Sequence, residues 1–290
     1  MANTTTGSLG DSQQTIIDKA RAVREFEGTF MRTTESHTLP EGTGLNWEEI
    51  AIAALTSQTI TETSELDNPQ SLSDSLITGR PTMRGINYLV TDEVYRRLPK
   101  MVTGKFGKLG QNAIQRGKDE DYLAIFATAT TTLAGTGQTM QSGFISAAAR
   151  RIKSNTTEPG QGSINAVFHG FGLHDIYNEI SAPVGTYPLP NGLSQEVYQE
   201  GLIGVAIGGV KIWEDGNIAI NATPDARGMI HSQEAVVHVQ GFSPRAATVR
   251  REEVGGGADE MFHYDQYVFI ERGGGQWLFG CLHNATAPAN

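Results

Sequence analysis

Cys281 is the only cysteine in a chain of 290 residues. A disulfide framework within the chain is therefore excluded, and so is any multi-cysteine zinc site. No apolar run approaches the ~18 residues that a membrane-crossing helix needs, and mean hydropathy is -0.29. The first residues, MANTTTGSLGDSQQ, lack a basic start followed by an apolar stretch, so no secretory leader is expected. No lysine falls between Lys19 and Lys100. These absences point to a soluble chain made in a reducing cytoplasm, with no membrane partner.

The usual catalytic patterns are missing as well. The run from Gly135 to Met140 lacks the third glycine of a dinucleotide loop, and Gly117-Lys118-Asp119 lacks the Ser or Thr of a phosphate loop. Neither Ser142 nor Ser194 sits in a nucleophile elbow. His169 and His174 are five apart, which does not put two imidazoles on one helical face. Cys281 lies in an apolar strand-like run and reads as a small buried hydrophobe. No catalytic residue, metal ligand or cofactor is expected.

The hydrophobic fraction of 38% can build a core, and 19% charge is too little for a disordered chain. The net charge is -10, yet residues 96–118 hold seven basic residues and no acid: Arg96, Arg97, Lys100, Lys105, Lys108, Arg116 and Lys118. Residues 12–32 have apolar positions at helical spacing (Ile16, Ile17, Ala20, Val23, Phe26, Phe30) and predict one amphipathic helix that must lie on something else. Residues 46–90 read as a long β-hairpin, polar on both faces near its tip, with a turn at Asp67-Asn68-Pro69. A lone hairpin is marginal in water. Its tip, Glu65, Asp67, Asn68 and Pro69, is expected to contact a neighbouring subunit.

Residues 91–132 predict the longest helix, kinked at Pro99 and bent or broken near Gly117. A loop (133–139), a helix (140–153), a buried strand (164–170) and a short helix (171–181) follow. The remainder is strand-like, with turns at Gly255–Gly257 and Gly273–Gly275. The class is α+β, with arms extending from a mixed body.

The order of these parts, together with LVTDEVYRRL (89–98), INAVFHGFGLHDIY (164–177), GLIGVAIGGVKIWE (201–214) and GMIHSQEAVVHV (228–239), resembles the major capsid proteins of tailed bacteriophages, which share the Hong Kong 97 fold. The resemblance implies an N-terminal arm (1–45), an extended hairpin loop (46–90), a spine helix of the peripheral domain (91–132), an axial domain (133–224) and further peripheral strands (225–290). It implies self-assembly into hexamers and pentamers of an icosahedral virion shell around double-stranded DNA, formed in the host cytoplasm. A portal protein and a decoration protein are implied as partners. The hairpin is reached by residue 46, which leaves no room for an internal scaffolding segment, so a separate scaffolding protein is expected. Lys105, Lys108, Arg116 and Lys118 face either the packaged DNA, held non-specifically through its phosphates, or neighbouring subunits. Some members of this fold lock their shells with isopeptide bonds from a hairpin lysine; residues 46–90 contain none, so the shell is expected to be non-covalent. Two other readings stay open: an encapsulin-like nanocompartment shell, and a soluble hydrolase with a dispersed Ser/His/Asp site.

Overall fold

The computed structural model describes residues 28–63, 69–97, 100–181, 206–254 and 256–288, with residues 100–105 and 181 described by their backbone alone. One helical turn, α1 (Phe30–Thr33), stands where the helix expected over 12–32 should end; Gly28 and Thr29 before it are not helical, and residues 12–27 lie outside the described residues. Strand β1 (Glu35–Thr38) follows, then a two-stranded antiparallel hairpin of β2 (Trp47–Ile52) and β3 (Asp74–Gly79). Strand β4 (Thr82–Thr91) leads into α2 (Asp92–Arg97) and the long α3 (Lys100–Ala124). Next come β5 (Thr132–Ala134), α4 (Ser142–Lys153), β6 (Ile164–Phe168) and α5 (Gly170–Ser181). Strands β7 (Ala206–Ile207), β8 (Val210–Glu214), β9 (Asp225–Ser232), β10 (Val236–Arg251), β11 (Ala258–Glu271) and β12 (Leu278–Asn284) complete it.

Two sheets form the body. One has four strands in the order β1-β10-β11-β4, parallel only between β1 and β10. The other has six, in the order β5-β12-β9-β6-β8-β7. Every residue of β6 is buried, as expected for a central strand covered on both faces. Helix α4 turns Ile145, Ala148, Ala149 and Ile152 into the core, a set at helical spacing. Its last turn carries Arg150, Arg151 and Lys153, which suits the negative end of the helix.

Several expectations are corrected. The hairpin does not run to residue 90. Its ladder ends at Gly79, and β4 pairs with β11 from Thr82 to Thr91, because that edge buries Val90. Strands β9 and β12 lie in the six-stranded sheet beside β6 rather than with β10 and β11, so residues 225–290 are divided between both sheets. Helix α3 is unbroken at Gly117 and stops at Ala124 rather than running to 132. Its glycines cost roughly 1 kcal/mol each relative to alanine, but a buried stripe at steps of four (Gly110, Ile114, Lys118, Tyr122), continued by Phe126 in the 3-10 turn that follows, docks it on the sheet and outweighs them. At Gly110 the small residue is required, since a Cβ there would lie 2.6 Å from the His263 ring. Residues 132–134, expected as loop, form β5. The turns at Gly256–Gly257 and Gly273–Gly275 are as expected, with every described glycine at positive φ.

Candidate functional site

The hairpin carries the most exposed apolar surface of the described chain. The register pairs Ile50 with Leu76 across the ladder, with Ile52 two residues on and on the same face. Their exposures are 61%, 57% and 70%. Leu45, Leu55 and Leu72, beyond the ladder, are exposed as well. The polar character expected near the tip does not extend to the base, where one face is apolar and uncovered.

The opposite face looks back at the body. Glu49, Ala51, Ser75 and Ile77 line a cleft of about 480 Å³ whose far wall includes Glu234, Glu271, Arg272 and Trp277. Arg272 ties the hairpin down: it donates to Glu49 at 2.7 and 3.0 Å and to Glu35 of β1 at 2.8 Å. Burial works to raise the Glu35 carboxyl, but the Arg272 hydrogen bond and charge, with His37, hold it below its ordinary value. The root of the hairpin is tight, since a Cβ on Gly79 would collide with Ile270. Further out, the Gln70 side chain accepts from the Thr56 N–H at 2.9 Å and donates to its carbonyl, as a strand would. Of the four tip residues, Pro69 is exposed; Glu65, Asp67 and Asn68 lie outside the described residues.

The four basic candidates on α3 do not form one group. At 3.6 residues per turn, positions 105, 108 and 116 fall within an arc of about 80°, and position 118 lies on the far side. Lys108 is exposed, and Arg116 is about half exposed and pairs with Glu120 one turn on at 3.3 Å. The side chain of Lys105 lies outside the described residues. Lys118 is only 4% exposed. Its Nζ makes an ion pair with Asp265 Oδ2 at 2.6 Å, donates to Gln240 Oε1 at 3.1 Å and stands 5.0 Å from the Tyr267 ring centre. Gln240 sits where the β10–β11 register slips, and its amide donates to Asp265 and to the carbonyls of Phe242 and Gln266. Lys118 is thus a buried internal charge, and its placement among DNA-facing or interface residues is corrected. The stripe spacing of 110, 114, 118, 122 and 126 was the available signal.

A second buried polar network fixes the base of the N-terminal arm. The His231 Nδ1–H donates to the Ser232 carbonyl at 2.8 Å, which leaves Nε2 to accept from the Tyr122 hydroxyl at 2.8 Å. The Tyr122 oxygen in turn lies 2.8 Å from Thr33 Oγ1 of α1. Burial lowers His231 to about 4, so the ring is neutral, and burial raises Tyr122 far above the ordinary phenol value. None of these residues was singled out from the sequence, where a lone Tyr or His gives no sign of its partners. Cys281 is buried in β12 with its sulfur 3.4 Å from that of Met140, and burial pushes its thiol up to about 12. Among the described residues no three His, Cys, Asp or Glu side chains are grouped so as to hold a metal ion.

No protein-family model and no curated protein matches the chain. Solved structures do. A chain from Mycobacterium phage Che8 superposes with a TM-score of 0.70 at 14% identity, over 93% of this chain and 96% of that one. The capsid of cyanophage Pam1 gives a TM-score of 0.70 at 10% identity, over 92% and 95%. The capsid of cyanophage P-SCSP1u gives 0.69 at 10%, over 92% and 91%. The chain therefore has the fold of phage capsid subunits, the Hong Kong 97-like architecture that the order of its parts resembles.

Proposed function

We propose that this chain is the major structural subunit of an icosahedral virion shell, assembling as hexamers and pentamers around packaged double-stranded DNA in the host cytoplasm. The observation that carries the reading is the likeness to phage chains, the capsid of cyanophage Pam1 among them, over more than nine-tenths of both partners. The hairpin supports it, because an uncovered apolar face on a marginal two-stranded ribbon suits a surface that is buried only in an assembly. In this reading the six-stranded sheet with α4 and α5 is the axial body, and the four-stranded sheet with α3 is the peripheral one. A separate scaffolding protein, a portal and a decoration protein complete the set of partners.

The test is an electron micrograph of the full chain purified from cells that also make its scaffolding partner. Closed shells are expected, whereas a monomer or small oligomer under those conditions overturns the reading. On a denaturing gel the same particles should give one band near 31.2 kDa. A ladder of multimers that survives boiling and reductant would overturn the non-covalent part, which rests on the lysine-free segment 46–90 and on buried Cys281.

The basic arc of α3 belongs to the same proposal. Non-specific phosphate contact needs charge alone, and each lost contact weakens binding in a salt-dependent way. Replacing Lys105, Lys108 and Arg116 together by Gln should lower the DNA content of particles while shell yield holds. If shell yield falls first, these residues are interface charges and the DNA contact is wrong.

A further inference from the structure

Two carboxyl groups share one buried site. Asp119, on α3, and Asp215, just after β8, are both fully buried. One oxygen of each lies against the same backbone N–H, that of Thr29, at 3.1 and 3.4 Å. Sharing that one donor brings the two carboxyls side by side. Their other partners are neutral donors: the Thr29 hydroxyl to Asp215 at 3.0 Å, the Asn217 side-chain amide to Asp119 at 2.9 Å, and the Asn217 N–H to Asp215 at 2.9 Å.

The surrounding charges do not neutralise the pair. Lys118, the next residue along α3, points away to Asp265. Arg32 of the arm stacks on Trp213 of β8. Arg227 of β9 lines a neighbouring hollow with Asn217 and Glu120. Glu214 of β8 adds negative charge, while burial lowers His169 below its ordinary value and His231 to about 4. Two carboxylates this close, away from water and without a cation, cannot both ionise, so the closed site holds a proton between them.

We propose that this carboxyl pair is a proton-operated latch for the base of the N-terminal arm, one shared proton holding Gly28–Thr34 against the body and its loss freeing them. The arm is seated directly on the pair, since a Cβ on Gly28 would lie 2.3 Å from Asp119 Oδ1. Burial, and after it the Asp215 charge, pushes Asp119 up to about 7 against the lowering effect of the Asn217 hydrogen bond. When the arm lifts, water reaches the pair and Asp119 returns toward its ordinary value of 3.8. The latched form then carries one more proton than the open form. Latching is fully favoured below the ordinary value, weakens roughly tenfold per pH unit as pH rises toward about 7, and is flat above that. Histidines exposed on opening would act in the opposite sense, so a variant must isolate the pair.

The measurement is hydrogen exchange at the amides of residues 29–34 in the full-length chain, corrected for the intrinsic pH dependence of exchange. The ratio of protection in the native chain to that in Asp119→Asn should fall roughly tenfold per pH unit between about pH 5 and 7. A ratio that stays constant over that range overturns the latch. Asp215→Asn serves if Asp119→Asn does not fold. Infrared spectra of the unmodified chain give an independent reading: a protonated-carboxyl band is expected near about pH 6 and lost by about pH 8, outside the range of ordinary carboxylates. Absence of that band also overturns the proposal.

Discussion

Deleting residues 63–72 leaves a folded, soluble body that makes no shells. Residues 53–62 and 69–73 lie beyond the β2–β3 ladder, which ends at Ile52 and Asp74, so shortening the loop leaves the paired strands in place. The root stays in place through Arg272 and the close approach of Gly79 to Ile270. A sharper variant keeps the loop and changes the uncovered face, Ile50→Asp with Leu76→Asp. Each apolar side chain of this size contributes roughly 1.5–3 kcal/mol when an interface buries it, and an unpaired carboxylate buried in its place costs several more. Both side chains are exposed in the single chain, so the cost there is that of two facing carboxylates, about 0.2–1 kcal/mol and confined to the hairpin. Sedimentation should show the megadalton species replaced by small oligomers, with an unchanged far-ultraviolet circular dichroism spectrum. Normal shells from either variant would end the assignment of this face to assembly.

How much of this was legible in the sequence differs from element to element, for physical reasons. Helix α4 and strand β6 could be read directly, since one apolar stripe and one unbroken apolar run each have a single stable use. The glycine turns were legible because positive φ leaves few other choices. Strand pairing was not. Nothing in GMIHSQEAVVHV says that its first half joins the six-stranded sheet and its second half the four-stranded one, with a short 3-10 turn from Gln233 to Ala235 at the crossing. Long-range partners decide that, and they leave no local mark. The hairpin read as polar near its tip because Thr, Ser, Gln and Glu dominate residues 56–65 by count. Register, not count, puts Ile50, Ile52 and Leu76 on one face.

Lys118→Ala should destabilise the single chain by about 3–5 kcal/mol, the cost of leaving a buried charge without its partner. The abandoned group is Asp265, which has no exposure to water. Its other contact is the Gln240 amide, a neutral donor that cannot balance a full charge. The loss also removes the cation beside the Tyr267 ring and the Lys118 donor to Gln240 Oε1. A melting midpoint lower by roughly 10 °C is the expected reading for a chain of this size. The contrast with the rest of the basic segment is the point of the test. Lys108→Ala removes an exposed charge on the same helix and should stay within about 0.5 kcal/mol. If sequence charge alone described these residues, the two substitutions would behave alike. A double variant, Lys118→Met with Asp265→Leu, separates an unpaired charge from lost packing. Buried ion pairs replaced as a whole by apolar residues are often neutral or better, by about 1–4 kcal/mol, so the double variant should melt above Lys118→Ala. Equal midpoints for Lys118→Ala and Lys108→Ala would show that Lys118 is not the buried partner of Asp265.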